Sequence, residues 1–385
     1  MDLRPDTYKI ADADAIMTPA LVIYPQLVDA NIEATLKMLG GEPNRWRPHI
    51  KTAKLAAILR RFLDYGVVNF KCSTTLELLT ACEIGAADVL LAYPVVGANA
   101  RRTREIANRF PGTRISVLIE THEQSLLWRS SSIGIFVDVN PGMDRTGISE
   151  ERLADIVELA RSSGEQFRGL HYYDGHISAF DGADGERNAH KGYDHLMQIH
   201  QALTAAGINV GELITSGTPA SPFALTYSRF EEKAILHRVS PGTVVYNDTT
   251  SLQQLPPEYG YQPAAIVLST VVSHPKPRVI TCDAGHKSVS ADAGVPTCSV
   301  IGQPRLTPLR PSEEHLPIES ASDDTPEIGD RLYLLPRHIC PTVNNFDEAL
   351  FVVDGRVQSI ERVTARGHES PLTAKFTSAS KADGR

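Results

Sequence analysis

The chain has 385 residues, of which 42% are hydrophobic and 22% are charged, as is usual for a globular protein of one or two domains. Its formal net charge of −8 and the absence of a dense Lys/Arg cluster argue against nucleic-acid binding. No run approaches the ~18 apolar residues of a membrane span, and the N-terminus lacks the apolar core of a signal peptide. The five cysteines have no framework spacing, so we expect a cytoplasmic protein with reduced thiols.

Short apolar segments alternate with amphipathic ones through the first two thirds of the chain. The predicted strands are residues 46–51, 67–72, 89–92, 114–119, 134–139, 167–173, 213–216 and 234–239. Helical periodicity occupies most of the gaps between them, beginning with residues 55–65 and ending with residues 188–206. Eight strands, most of them followed by a helix, predict an α/β fold with a (β/α)₈ TIM-type barrel rather than an open doubly wound sheet.

The pattern changes after about residue 246. Short apolar or β-branched segments at 265–272, 278–281, 331–335, 349–353 and 357–363 are separated by Gly, Pro and Asp, which predicts a C-terminal β-domain. Residues 20–24 are expected to pair with its strands, and the Pro-, Glu- and Asp-rich stretch 303–330 is expected to be an exposed loop. We therefore expect a barrel over residues 25–250, a β-domain formed by 1–24 and 251–367, and a flexible tail over 368–385.

The carboxyl ends of barrel strands are where such folds keep their chemistry. Lys51 ends the first strand, and a desolvated amine there can form a Schiff base with an aldehyde cofactor. The fifth strand ends in a glycine-rich turn that presents Arg145, whose guanidinium suits a phenolate or a carboxylate. The sixth ends in a run from His171 through Tyr173 to His176, a density of titratable groups that favours a functional role.

The last two strand ends carry small hydroxyl-bearing residues around a glycine. They are Ser216, Gly217 and Thr218 after the seventh strand, and Gly242 and Thr243 after the eighth. Barrels commonly bind a phosphate between the loops that follow these strands. Together with Lys51 on the first strand, the pattern predicts pyridoxal phosphate across the mouth of the barrel.

His338 and Cys340 form a further candidate site in the β-domain. In a strand, residues two apart point to the same face, so both side chains could reach one ion. Imidazole and thiolate suit zinc, and two protein ligands leave positions open for water and substrate. The alternative is a buried cysteine beside a chance histidine. The segments 283–287 and 292–294 are interpreted as β-turns or as a dimer contact.

Six separated motifs resemble the family of D-threonine aldolase and D-serine dehydratase, metal-dependent pyridoxal-phosphate enzymes with the alanine-racemase-like fold. In chain order they are Arg-Pro-His-Ile-Lys51-Thr, Gly-Met-Asp-Arg145-Thr-Gly-Ile, Gly-Leu-His-Tyr-Tyr173-Asp-Gly-His, Thr-Ser-Gly-Thr218-Pro, Pro-Gly-Thr243 and Pro-Arg-His338-Ile-Cys340-Pro-Thr-Val-Asn. The resemblance spans residues 15 to 365, roughly.

This resemblance implies a role for each motif. Lys51 would carry the cofactor, Arg145 would contact its phenolic oxygen and Tyr173 would lie by the pyridine ring. The two late loops would hold the phosphate. His338 and Cys340 would hold a divalent metal (zinc, manganese or magnesium) near the substrate's β-hydroxyl. A homodimer with active sites near the subunit interface is also implied.

Two reactions of a β-hydroxy-D-amino acid are compatible with these roles. Removal of the hydroxyl proton, by His176 or a metal-bound hydroxide, breaks the Cα–Cβ bond and releases glycine and an aldehyde. Removal of the Cα proton by Lys51 instead expels the hydroxyl and gives a 2-oxo acid and ammonia. Cys340 resembles the dehydratases, whereas the motifs around Arg145 and Tyr173 resemble the aldolases. We expect D-threonine aldolase-type cleavage, with dehydration of D-serine or 3-hydroxy-D-aspartate as the alternative.

Other classes of protein stay open at this point. An alanine-racemase-type isomerase would use a second base from the β-domain and no metal, so His338 and Cys340 speak against it. A protein that only carries pyridoxal phosphate would lack the β-domain. A barrel hydrolase without a cofactor would be colourless, whereas pyridoxal phosphate linked to Lys51 absorbs visible light.

Overall fold

A computed structural model describes residues 4–178, 182–232 and 234–371 of the chain. The predicted tail over 368–385 lies outside the described residues from position 372 onward. The helices are α1 (Pro25–Met38), α2 (Ala56–Asp64), α3 (Thr75–Glu83), α4 (Gly97–Arg109), α5 (His122–Leu126), α6 (Leu153–Ser163), α7 (Gly182–Ala205), α8 (Ser221–Thr226), α9 (Thr249–Gln254) and α10 (Ile339–Asn344).

The strands fall into two sheets. They are β1 (Ala20–Ile23), β2 (Asn69–Cys72), β3 (Asp88–Leu91), β4 (Arg114–Ile119), β5 (Gly134–Asn140), β6 (Ile148–Ser149), β7 (Phe167–Tyr172), β8 (Glu212–Thr215), β9 (His237–Val239), β10 (Ala265–Lys276), β11 (Val279–Cys282), β12 (Cys298–Val300), β13 (Leu306–Pro308), β14 (Leu316–Ser320), β15 (Arg331–Pro336), β16 (Glu348–Val353) and β17 (Arg356–Arg362).

The first sheet is parallel, in the order β2-β3-β4-β5-β7-β8-β9, with β6 added beside β5. Residues 46–50 close it into a barrel, because Trp46 bridges to Val239 of β9 and His49 bridges to Lys71 of β2. The amide of Arg47 donates to the Val239 carbonyl at 2.9 Å, on the β9 side of this closure. The predicted parallel barrel is confirmed, with seven of its eight predicted strands present as β2, β3, β4, β5, β7, β8 and β9 and the first represented by the bridged segment 46–50.

Trp46 fixes the first barrel strand, and with it the position of Lys51. Its indole is fully buried and packs edge-on against Phe62 of α2, with ring centroids 5.1 Å apart. The indole N–H donates to the carbonyl of Pro241 at 2.9 Å. The apolar face of α2 and the end of the eighth strand therefore hold the strand that leads to Lys51.

The barrel interior is filled in layers, as alternating side chains point inward along each strand. At the amino-terminal end, the Arg47 guanidinium lies 2.9 Å from Asp88 and 2.8 Å from Glu212, and all three are buried. Arg114 pairs with Asp88, and Arg238 with Glu212. Burial opposes the charge of Arg47, but the two carboxylates raise its pKa above the usual value. These ion pairs form the floor of the barrel. Above the floor lies an apolar layer formed by Leu90, Leu118, Phe136 and Ile214.

The floor network gives a test of stability. Arg47→Met removes the central cation and leaves Asp88 and Glu212 buried with one arginine each, so we expect a loss of about 3–5 kcal/mol in the free energy of unfolding. Urea unfolding of the cofactor-free protein measures it. The matched control is Arg152→Met, whose partner Asp155 is exposed, and which should cost at most about 1 kcal/mol. Equal losses in the two variants would contradict a stabilising role for the floor.

The second sheet runs β13-β14-β11-β10-β1-β16-β17, with β15 pairing to β10 and β12. Strand β1 pairs with β10 antiparallel and with β16 parallel, as predicted for residues 20–24. The predicted loop over 303–330 is wrong in part, because it contains β13 and β14. Leu316 and Ile318 of β14 are fully buried, and the carbonyl of Pro317 between them accepts a bond from the Leu309 amide at 2.9 Å. Alternate burial outweighs the proline content here. No helix within the described residues has the length and apolar character needed to cross a membrane.

Candidate active site

Lys51 follows the first barrel strand and is exposed at the barrel mouth. Its amide donates to Nδ1 of His49 at 3.3 Å. Burial and the positive charges of Lys51 and Lys71 hold the pKa of His49 well below its ordinary value, so the ring is a neutral acceptor. Gly242 lies so close to the His49 carbonyl that a Cβ there would clash with its oxygen. Strand one and the loop after strand eight are therefore in direct contact beside Lys51.

Tyr173 lies after β7 in a slot bordered by glycines and cations. A Cβ at Gly175 would clash with the Tyr173 ring, and one at Gly217 would lie 3.1 Å from it. The Arg145 guanidinium carbon is 4.7 Å from the centroid of this ring, and Lys71 Nζ is 5.3 Å from it. The predicted site residues Arg145, Tyr173 and Gly217 are thus brought together.

The loops after β8 and β9 also meet. The Ser240 amide donates to the Ser216 carbonyl at 2.9 Å, and Ser216 has a left-handed φ of 55°. The hydroxyls of Thr218 and Ser240 are buried and have no hydrogen-bond partner among the described residues. Because an unpaired buried hydroxyl is costly, this pair indicates a polar ligand between the two loops. A phosphate fits this donor set.

Asp174 supports the loop after β8 from within the protein. It accepts hydrogen bonds from the hydroxyls of Tyr193 at 2.6 Å and Ser216 at 3.1 Å. Burial raises the pKa of its carboxyl, while these two hydroxyls act in the opposite direction. Neither Asp174 nor Ser240 was singled out from the sequence, although Asp174 lies in the motif around Tyr173 and Ser240 directly precedes the Pro-Gly-Thr243 motif.

His338 and Cys340 are not in a strand, so that part of the prediction is wrong. Strand β15 ends at Pro336, His338 precedes α10 as its N-cap, and Cys340 lies in the first turn of the helix. The chain turns here because the carboxylate of Asp248 accepts from the Ile339 amide at 3.0 Å, satisfying a first-turn N–H group. The two side chains nevertheless lie close enough to interact, since Cys340 raises the pKa of His338.

The Cys340 sulfur joins this pair to the barrel mouth. It lies 2.9 Å from the hydroxyl of Thr52, the residue after Lys51, and 3.6 Å from that of Thr243. Burial would raise the pKa of the Cys340 thiol, but the hydrogen bond to His338, the charge of Lys51 and the contact with Thr52 lower it. A thiolate is the form that binds a metal.

Asp292 contacts the His338–Cys340 pair through the His338 ring. Its carboxylate lies 2.6 Å from Nδ1 of His338. Burial opposes the charge of His338, but Cys340 and Asp292 raise its pKa to about 9. A carboxylate on one ring nitrogen is the usual way to orient an imidazole whose other nitrogen binds a metal. No group of three or more His, Cys, Asp or Glu side chains suited to a metal occurs within the described ranges, so Cys340 and His338 would supply two protein ligands.

His176 lies beside the loop that presents Arg145, because a Cβ at Gly142 in that loop would be 3.8 Å from its Nε2. It is exposed and lines a cavity of about 300 Å³ together with Glu150, Tyr172 and His195. In that cavity Glu150 accepts from Tyr172 and contacts His195, each at 2.7 Å.

Comparisons with known proteins agree on one family. The model of the alanine racemase N-terminal domain matches residues 23–250, and a serine dehydratase domain model matches residues 264–352. The chain is 26% identical to D-threonine aldolase of Arthrobacter sp, with 91% of this chain and 93% of that protein covered. It is 26% identical to 3-hydroxy-D-aspartate aldolase of Paracoccus denitrificans (strain Pd 1222), with 92% and 94% covered.

Two further comparisons bear on the reaction and the fold. The chain is 24% identical to D-threo-3-hydroxyaspartate dehydratase of Delftia sp. (strain HT23), with 90% of this chain and 97% of that protein covered. Among solved structures, D-threonine aldolase from Filomicrobium marinum superposes with a TM-score of 0.84 at 25% identity, covering 95% of this chain and 99% of that one.

Proposed function

The chain belongs to the family of the alanine racemase N-terminal domain, and from that premise we propose that it is a lyase of β-hydroxy-D-amino acids that depends on pyridoxal phosphate and a divalent metal. The observation that carries the proposal is the 2.9 Å contact between the Cys340 sulfur and Thr52. This contact brings the His338–Cys340 pair next to the lysine expected to carry the cofactor. Similar proteins named as D-threonine aldolase and 3-hydroxy-D-aspartate aldolase support the substrate class and favour cleavage to glycine and an aldehyde.

The residues at the barrel mouth suit pyridoxal phosphate. Lys51 offers an exposed amine, and the unpaired hydroxyls of Thr218 and Ser240 offer hydrogen bonds to a phosphate. Arg145 and Tyr173 would lie along the ring, since the guanidinium and the phenol are in contact. When bound, the cofactor supplies an electron sink for bonds broken at Cα. We assign Lys51 as its anchor, and Ser216, Gly217, Thr218, Gly242 and Thr243 as the loops that surround its phosphate.

The second site suits a divalent metal, with zinc favoured by the thiolate and manganese or magnesium as alternatives. His338 and Cys340 would hold the ion, and it would supply Lewis acidity to the substrate's hydroxyl. Asp292 keeps the His338 ring oriented, through the 2.6 Å contact with its Nδ1. His176, whose Nε2 would lie 3.8 Å from a Cβ at Gly142 in the Arg145 loop, stays the candidate base for the proton of that hydroxyl.

Dehydration is the second candidate reaction. Its support is the cysteine at position 340 and the similarity to D-threo-3-hydroxyaspartate dehydratase. In this version the amine of Lys51 would take the Cα proton, and the hydroxyl group would leave as water. In the aldolase version the Cα proton stays in place, the hydroxyl group loses its proton as the Cα–Cβ bond breaks, and Cα takes up a proton to give glycine.

Product analysis separates the two reactions. Purified protein with pyridoxal phosphate and Mn²⁺ or Zn²⁺ is incubated with D-threonine, L-threonine or D-serine. We expect equimolar glycine and acetaldehyde from D-threonine and none from L-threonine. Equimolar 2-oxo acid and ammonia from D-threonine or D-serine would establish the dehydratase instead. A change of stereochemistry at Cα without any other product would indicate a racemase. The proposal would be overturned if none of the substrates reacts.

We also infer a homodimer in the cytoplasm, with the chain divided into the barrel and β-domain expected from the sequence. The five cysteines are free and buried, which supports a reducing compartment. The boundaries at residues 250 and 264 of the two family matches support the division. The dimer rests on the resemblance of the motifs to the aldolase and dehydratase family.

A further inference from the structure

Three buried polar side chains inside the barrel, beneath the mouth, have no role in the proposed function. Lys71 of β2 has its Nζ 3.1 Å from Nε2 of His171 on β7. Nδ1 of that histidine lies 2.6 Å from Asp138 on β5. All three residues are less than 5% exposed. The chain of contacts therefore crosses the barrel interior on three different strands.

These contacts between Lys71, His171 and Asp138 support the two side chains that border the proposed cofactor ring. The other Asp138 oxygen accepts from the hydroxyl of Thr146 at 2.8 Å, which pins the loop that presents Arg145. At the opposite end, Lys71 Nζ lies 5.3 Å from the centroid of the Tyr173 ring, against which Arg145 also packs. Lys71 is thus linked to both Tyr173 and the Arg145 loop.

Lys71 differs from an ordinary buried lysine. Lys54, which is also buried, pairs with the carboxylate of Glu77 at 3.0 Å. Lys71 has no carboxylate partner among the described residues, and its hydrogen-bond partner is a histidine nitrogen. An ammonium buried without a carboxylate partner is costly, so Lys71 is suited to an anion that binds close to it.

Charges around Lys71 act in both directions. The groups that face it are Lys51, Arg145, His49, His171, Tyr173, Asp138 and Asp174. Burial and the charge of Lys51 lower its pKa, Asp138 and Asp174 oppose them, and the result is about 7. Lys71 is therefore positively charged below about pH 7 and neutral above it. An anion bound nearby favours the charged form, and by linkage the charged form favours the anion.

We propose that Lys71 is a positioning residue, held in place by His171 and Asp138. Its own ammonium adds a positive charge beside the anionic cofactor, and its side chain keeps the Tyr173 ring against Arg145. This inference rests on the proposed function, since it presupposes that pyridoxal phosphate binds at the mouth. It explains why a lysine without a carboxylate partner lies under the site, and why a histidine and an aspartate hold it there.

The test measures the dissociation constant of pyridoxal phosphate from cofactor-free protein between pH 6 and pH 9. Lys71→Met should weaken binding by about tenfold at pH 6, the size of one lost charge interaction in a partly buried site. The ratio of variant to wild-type constants should shrink toward pH 9, since wild-type Lys71 is then neutral. Lys54→Met is the matched control, and should lower stability while leaving the ratio near one at every pH.

Two results separate this inference from the proposed function. If the wild-type protein binds no pyridoxal phosphate, the proposed function fails and this inference with it. If the wild type binds and the Lys71→Met ratio stays near one from pH 6 to pH 9, only this inference is overturned. His171→Gln, which keeps the lysine but alters its tether, is measured as well. It should weaken the binding of pyridoxal phosphate more at pH 6 than at pH 9, as Lys71→Met does, and wild-type dissociation constants at every pH in both folded variants would overturn the inference.

Discussion

Lys51→Ala is expected to abolish the visible colour of the protein and to lower aldehyde release from D-threonine by at least about a thousandfold. The reason is that the proposed anchor amine is lost, while the barrel that surrounds it stays intact because Trp46 and α2 hold its strand. Absorbance of the protein with pyridoxal phosphate, followed by the rate of aldehyde release, measures both effects.

Lys54→Ala is the matched control for this prediction. It removes another lysine three positions along the chain, one whose side chain is buried and paired with Glu77. The control should stay yellow and active, provided that the assay is run well below its unfolding temperature. A yellow, active Lys51→Ala protein would refute the role of Lys51 as the anchor.

His338→Ala and Cys340→Ala are expected to lose turnover by at least about a hundredfold while keeping the yellow colour. The two effects separate because the proposed metal pair lies at the start of α10, whereas the cofactor contacts come from the barrel strands. A chelator should inactivate the wild type in the same way, and added Zn²⁺ or Mn²⁺ should restore activity to the wild type but not to either variant.

Asp292→Asn provides a graded variant of the same site. It keeps the shape of the side chain that lies 2.6 Å from His338 but removes its charge. Metal affinity should fall by about 10–100-fold, the usual effect of losing the group that orients a ligand. If the wild type keeps full activity after exhaustive chelation, the metal role is contradicted, whichever way the variants behave.

The barrel and most of its strand ends followed from the sequence for a geometric reason. The carboxyl ends of parallel barrel strands converge on one mouth, so strand order alone groups Lys51, Arg145, Tyr173 and the loop at Ser216. Tight contacts of Gly175 and Gly217 with the Tyr173 ring show what the glycines in those motifs provide. Here the local patterns and the three-dimensional arrangement agree.

The arrangement around His338 could not be predicted in the same way. Alternating apolar residues after β15 suggest a continued strand, and a helix of six residues is too short to show helical periodicity. What begins the helix is a hydrogen bond from Ile339 to Asp248, 91 residues earlier in the chain. Asp292, placed in a turn by its local sequence, reaches His338 through a contact across 46 positions.

Lys71 was not predicted as a site residue from the sequence, for a related reason. A lysine within an apolar strand is most often at the surface, and only closure of the barrel turns it inward. Once residues 46–50 bridge to β2, His49 and Lys71 lie side by side on neighbouring strands. The signal that could have found it is its place in the strand adjacent to the one that ends at Lys51.

The central claim is that Lys51, at the end of the first barrel strand, holds pyridoxal phosphate. Borohydride converts a lysine–aldehyde linkage into a stable amine, so the holoprotein can be reduced, digested and mapped by mass spectrometry. We predict a pyridoxyl phosphate group on the peptide that contains Lys51 and on no other peptide. Labelling at Lys71 or Lys54 in place of Lys51, or no labelling of a protein saturated with the cofactor, would contradict the account.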